Sequence, residues 1–347
     1  MFSAPRPSVP DARRSLPVPQ AESFTPWNGT DVVLYDVDAM TELNLGRGGL
    51  AGFDAEGRRL LWISGDILGR DDTGQQLWVM EIASRERRSF GPARVYSVVD
   101  ETHLAVVLPG TNRWELVDIT TGARVALGGP PEQRPTRVLT EAAGFRLEVI
   151  ATPQPYPYAY TAFRVVDTSG RLSPLEFETF RAQLAPDGTL FILTPPVDLQ
   201  PQVGFFAGQG SWGMSNVFEV DPTTGRATWI ASAATSTNGS PFAAGDRYIV
   251  WTENYCNIGT ASRASDGRTR IYDRRARTLT ELDQGLFVAD VTPRNELAVG
   301  TFGADALIDA SSLAYRVRFR ESDRVWSKDY RYAVVGITSG HEGVCGI

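Results

Sequence analysis

Histidine is nearly missing from this chain: its 347 residues include only His103 and His341. A three-histidine metal site is therefore excluded. A Ser-His-Asp triad would have to use His341, and no Gly-x-Ser-x-Gly motif accompanies it. Lysine occurs once, as Lys328, among 34 basic residues, which leaves Schiff-base chemistry a single candidate. Two cysteines, Cys256 and Cys345, are too few for a zinc site beside so little histidine. No apolar run reaches 18 residues, so no membrane-spanning helix is expected. A basic excess is lacking as well: the net charge is −7, against the concentrated positive surface that a nucleic-acid partner requires. Neither a metal nor a cofactor is expected.

Glycine (33) and proline (22) are abundant, favouring many turns over long helices. Residues 1–30 stand apart. Pro5, Pro7, Pro10, Pro17, Pro19 and Pro26 predict an extended, flexible segment without the apolar stretch of a signal peptide. It reads as a tether left after removal of a leader, or as a ragged terminus. Residues 31–347 read as one domain. Cys345 lies close to the chain end in Gly343-Val344-Cys345-Gly346, a poor place for a buried thiol. A Cys256–Cys345 disulfide is the better use, and it implies an oxidising, extracytoplasmic compartment such as a periplasm, a cell surface or the medium.

The most informative feature is repetition. Apolar strands begin at Leu60, Leu104, Leu147, Leu190, Tyr248, Leu297 and Tyr332, each after a turn such as Ala185-Pro186-Asp187-Gly188. A second element interleaves with them: a strand ending in an acid, then a polar turn, then another strand. The acids are Asp36, Glu81, Asp118, Asp167, Asp221, Asp273 and Asp309. A carboxylate at such a turn accepts backbone N–H bonds, so these seven are structural and not catalytic. Four short strands recurring over roughly 45 residues is the pattern of a propeller blade. The predicted fold is an all-β, seven-bladed propeller of four-stranded antiparallel blades. The first strands, near residues 32–45, are an outer pair, and the last, near 324–337, an inner pair. Joining them completes the seventh blade and removes the open edge.

The turn Leu184-Ala185-Pro186-Asp187-Gly188-Thr189-Leu190 resembles the repeat of TolB-type, WD40-like propellers, with weaker versions at 53–60 and 291–297. The resemblance covers residues 31–340, without the Gly-His and Trp-Asp pair of true WD40 blades. It implies architecture alone, because such propellers include interaction scaffolds, lyases and hydrolases.

Numbering the joined blade as blade 1, long loops follow the second strands of blades 2, 4, 5 and 6, all on one face. Those of blades 4 to 6 carry Tyr156, Tyr158, Phe205, Phe206, Trp212 and Tyr255. These rings suit stacking on sugar faces or burying a partner's side chains, or else they form a packed cap. Asp66, Asp71 and Asp72 make an acidic loop that does not match a calcium loop. Carboxylate-pair glycoside hydrolysis has candidates in Asp66, Asp198, Glu253 and Glu342, with nothing to select a pair. The expected function is a monomeric extracytoplasmic binding propeller whose long-loop face takes a protein or carbohydrate partner. The alternative is a propeller enzyme acting on a carbohydrate, as glycoside hydrolase or polysaccharide lyase.

Overall fold

The computed structural model describes residues 12–17, 24, 28–54, 56–67, 73–130, 137–151, 161–179, 181–194, 212–236, 242–253, 268–283, 286–301, 304–319 and 324–336. Within them the strands form seven blades. Blade 3 shows the plan: Val95–Val98, His103–Val107, Trp114–Asp118 and Arg124–Leu127 pair antiparallel in chain order. Blades 4, 5 and 7 repeat it, starting from Arg137–Ala142, Arg181–Leu184 and Phe287–Val291. Blade 6 runs from Phe242–Ala244 to Thr278–Leu282 and gains a fifth strand, Ala12–Arg14, parallel to its outer edge. First strands of successive blades pack side by side, as Arg181–Leu184 does against Phe242–Ala244 and the latter against Phe287–Val291. They therefore line the axis.

Blades 1 and 2 share one strand. Thr41–Phe53 pairs with Asp31–Asp36 through its first half and with Arg59–Ser64 through its second. Glycine makes the crossing possible: Gly46 has φ +89°, and a Cβ at Gly48 would lie 2.4 Å from the Ile63 carbonyl oxygen. Asp31–Asp36 also pairs with Tyr332–Val335, which carries Val325–Trp326 on its inner side. The ring thus closes two strands on two, as the order of the repeats predicts, and no open edge remains at the seam.

The core sits between blades. Leu34, Leu60, Trp62, Met80 and Val334 fill the boundary of blades 1 and 2, and Phe191, Ile249 and Trp251 that of blades 5 and 6. Second strands are buried on both faces, so Leu60, Leu61, Trp62 and Ile63 are all at most 2% exposed. That double burial is why these strands read as unbroken apolar runs.

The turn acids do what the sequence implies. Asp118 accepts from the Thr120 and Thr121 N–H groups at 2.7 and 3.2 Å and from both hydroxyls. Asp221 and Asp309 repeat the arrangement. Glu81 differs: its carboxylate pairs with the Arg59 side chain at 2.6 Å. Four residues after six of the seven acids the backbone is left-handed whether or not glycine is present: Gly122 and Gly225, but also Met40, Arg85, Arg277 and Leu313; after Asp167 it is Gly170, three residues on. At Met40, Arg277 and Leu313 the carboxylate caps of Asp36, Asp273 and Asp309 hold a conformation that the residue itself disfavours.

Part of the proline-rich N-terminus is braced. Arg14 donates to the Ser311 and Ser312 carbonyls of blade 7 at 2.7 and 3.1 Å, and Ser15 donates to Asp283. Arg13 pairs with the buried Glu281, and Leu16 packs on the core between blades 6 and 7. Further on, Phe24 stacks on Phe319 with ring centroids 5.1 Å apart, beside Tyr35 of blade 1. The segment therefore touches blades 6, 7 and 1.

Candidate functional site

Most residues of the aromatic loops, namely Tyr156, Tyr158, Phe205, Phe206 and Tyr255, lie outside the described residues, as do Cys256 and Cys345. Trp212 opens the third strand of blade 5, its backbone paired with Ser236 at the long-loop end. Of the carboxylates considered for hydrolysis, Asp66 pairs with Arg47 at 3.0 Å and Glu253 with Arg270 at 2.9 Å. Asp198 and Glu342 lie outside the described residues, with Asp71, Asp72 and His341. His103 sits at the first hairpin of blade 3, its Nδ1 3.0 Å from Asp100.

Two built surfaces stand out among the described residues, and both lie toward the face opposite the long loops. The first is a groove of about 680 Å³ between blades 5 and 6. Trp229 and Ile230 form one wall, and Tyr272 with Arg274, Arg275 and Arg277 the other. Arg274 organises the floor. It donates to the Asp246 carbonyl at 2.8 Å, to Asp187 and the Thr189 hydroxyl at 2.9 Å each, and approaches Glu219 at 3.4 Å. Its guanidinium also covers the ring of Phe191 at 4.9 Å. Trp229 is fixed by its Nε1–H, which donates to Asn216 at 3.2 Å. Arg275 and Arg277 are exposed and make no side-chain ion pair among the described residues. A second groove, about 510 Å³, continues between blades 4 and 5 past Phe145, Asp221 and Arg226.

The second surface is the axial lumen. With the blades aligned on the turn acid, register puts Val325, Gly52, Ser97, Thr140, Gln183, Ala243 and Asp290 at one level, one from each innermost strand. Asp290 is the one charged side chain of the seven. Its Oδ2 accepts from the Tyr330 hydroxyl at 2.8 Å, and its Oδ1 from the amide of Gln183 at 3.5 Å. Those bonds link blades 5, 7 and 1, passing over the fully buried Ala243 of blade 6. Burial pushes the Asp290 carboxyl above its usual range. Burial, and then the charge of Asp290, raise the Tyr330 hydroxyl too, so the tyrosine donates.

Sequence reasoning passed over this arc. The available signal was a polar residue, Gln183 or Asp290, in an otherwise apolar innermost strand.

No family model and no curated protein matches the chain. Solved structures do. Hsv2 of Kluyveromyces lactis is similar at 10% identity and a TM-score of 0.38, covering 80% of this chain and 86% of that one. The β-propeller domain of the Trilobed protease from Pyrococcus furiosus, described as having an open velcro topology, gives 12% and 0.37, covering 74% and 81%. The β-propeller domain of Myceliophteria thermophila Cps50 (Swd1) gives 14% and 0.34, covering 89% and 91%. The architecture itself stands on the strand pairing: the chain is a seven-bladed β-propeller.

Proposed function

We propose that this propeller is a non-enzymatic binding scaffold that docks a protein partner across blades 4 to 6, and that it works outside the cytoplasm. The observation that carries the docking is the groove between blades 5 and 6. It joins Trp229, Tyr272 and two exposed arginines, Arg275 and Arg277, on a rigid frame. Trp, Tyr and Arg are the residues that dominate protein interfaces, because each combines a large contact area with a polar handle. The aromatic loops expected from the sequence belong to the same three blades but to the opposite face, and they do not line this groove. The extracytoplasmic location follows from the expected Cys256–Cys345 bond.

Charge reversal at Arg275 and Arg277 (Arg275→Glu with Arg277→Glu) tests the groove without touching the ion pairs of Arg274. Cross-linking capture from the source cells, quantified against wild type, should lose its most enriched protein at least about ten-fold. Capture of the same proteins in the same amounts by the double variant refutes the docking surface.

A further inference from the structure

One blade edge of this ring already carries a peptide. Inside blade 6 the strands pair antiparallel, but Ala12–Arg14 lies parallel to Thr278–Leu282, as an extended segment added to a finished edge. Among the described residues blade 6 alone has such a fifth strand. Successive side chains of the segment meet different partners. Arg13 reaches Glu281, whose side chain is 2% exposed, at 3.3 Å. Arg14 donates to the carbonyls of Ser311 and Ser312 in the blade 7 turn. Ser15 donates to Asp283 at 2.9 Å. Leu16 packs on the cluster that includes Leu282, Leu286 and Leu313.

The receiving cleft is built by the blades themselves. Glu281 is also held by Arg268 and Arg270 at 3.3 Å each, and the apolar cluster belongs to blades 6 and 7. The segment stays at the surface: Ala12, Arg13, Ser15 and Pro17 are exposed. It is a shallow occupant, in which backbone pairing supplies affinity and the side-chain contacts supply selectivity. We infer that this cleft is a second docking site, separate from the groove between blades 5 and 6. It takes an extended Arg-Arg-x-Leu segment of a partner protein, and the chain's own N-terminus holds it closed. Residues 17–30 tether that occupant to Asp31–Asp36, giving it an effective concentration on the order of millimolar. A second copy brings the same segment without that advantage and would only exchange like contacts for like. A partner gains the site by displacing the tethered segment.

Fluorescence anisotropy of a labelled peptide, residues 11–17, tests this on the full chain. An opened variant, Arg13→Ser with Arg14→Ser and Leu16→Ser, weakens the occupant and leaves the cleft intact. The peptide should saturate the opened variant and bind the wild-type chain at least about ten-fold more weakly, because there the tethered segment competes. Arg14→Glu in the peptide should weaken its binding by more than about ten-fold. Bound peptide should also restore slow hydrogen exchange at residues 278–282 of the opened variant. Equal affinity of the wild-type and opened chains overturns the inference. So does failure to saturate the opened variant below about 1 mM, since an affinity weaker than the tether's effective concentration would leave the cis segment mostly unseated. Binding that leaves exchange at residues 278–282 unchanged overturns it as well. A wild-type chain that sediments as a dimer while the opened variant is monomeric gives the cleft to a second copy, and overturns the assignment to a partner.

Discussion

Ring closure gives the sharpest test of the architecture. Leu34 comes from the N-terminal strand and Val334 from the C-terminal one. The two face each other in register, both are 1% exposed, and both belong to the cluster that includes Leu60, Trp62 and Met80. Leu34→Ala removes a fully buried side chain and should cost about 3 kcal/mol. Val334→Ala removes two buried methyl groups and should cost about 2 kcal/mol. If the residues touch, the second truncation finds part of the contact already gone. The double variant should then fall short of the sum by about 1 kcal/mol. Urea unfolding followed by tryptophan fluorescence reads all four proteins. With a slope of about 3 kcal/mol/M, Leu34→Ala alone moves the midpoint by about 1 M. Val125, 62% exposed on the outer strand of blade 3, supplies the control pair: Val125→Ala should be near neutral and additive with Leu34→Ala. Additivity of Leu34→Ala and Val334→Ala to within about 0.5 kcal/mol would mean that the two ends of the chain do not share a blade.

Deleting residues 1–17 should cost about 1 to 3 kcal/mol and speed hydrogen exchange at residues 278–282, where Ala12–Arg14 covers the edge. Unchanged exchange there would show that the strand is not seated. The turn acids predict an acid transition. The carboxyl of Asp100 is held down to about 2 by the Thr102 N–H and His103, and that of Asp118 is lowered by the Thr120 and Thr121 hydroxyls. Folded values below unfolded ones mean that this stability is complete above pH 3.8 and is lost as pH falls, for Asp100 down to about 2. Asp118→Asn should flatten the acid limb of a stability-against-pH curve, and an unaltered limb would refute the caps. Thiol titration of denatured, unreduced protein freshly taken from its own compartment should find no free thiol at Cys256 or Cys345. Two free thiols would remove the ground for an extracytoplasmic location.

Much of the ring was legible in the sequence because its determinants are local. Period-two runs such as Leu60–Ser64, turns such as Ala185–Gly188 and the acids Asp118 and Asp221 each act over a few residues. Their recurrence supplies the blade count, and the order of half-blades at the two ends supplies the closure. The lumen is different. Gln183 and Asp290 are 107 residues apart, and Asp290 and Tyr330 are 40 apart. Each looks like an ordinary polar residue until seven first strands meet at an axis. The groove arginines are similar. Arg274, Arg275 and Arg277 read as one basic turn, and only the neighbouring blade, with Asp187 and Glu219, commits the first to the floor while the other two stay exposed. The N-terminal brace is the plainest case. Its composition predicts extension, and extension is what a strand needs, but pairing requires an open edge. That edge, Thr278–Leu282, is presented only once blade 6 has folded. Local chemistry therefore determined the units of this protein. Tertiary structure decided which polar side chains face one another, because that depends on distances set by closing the ring.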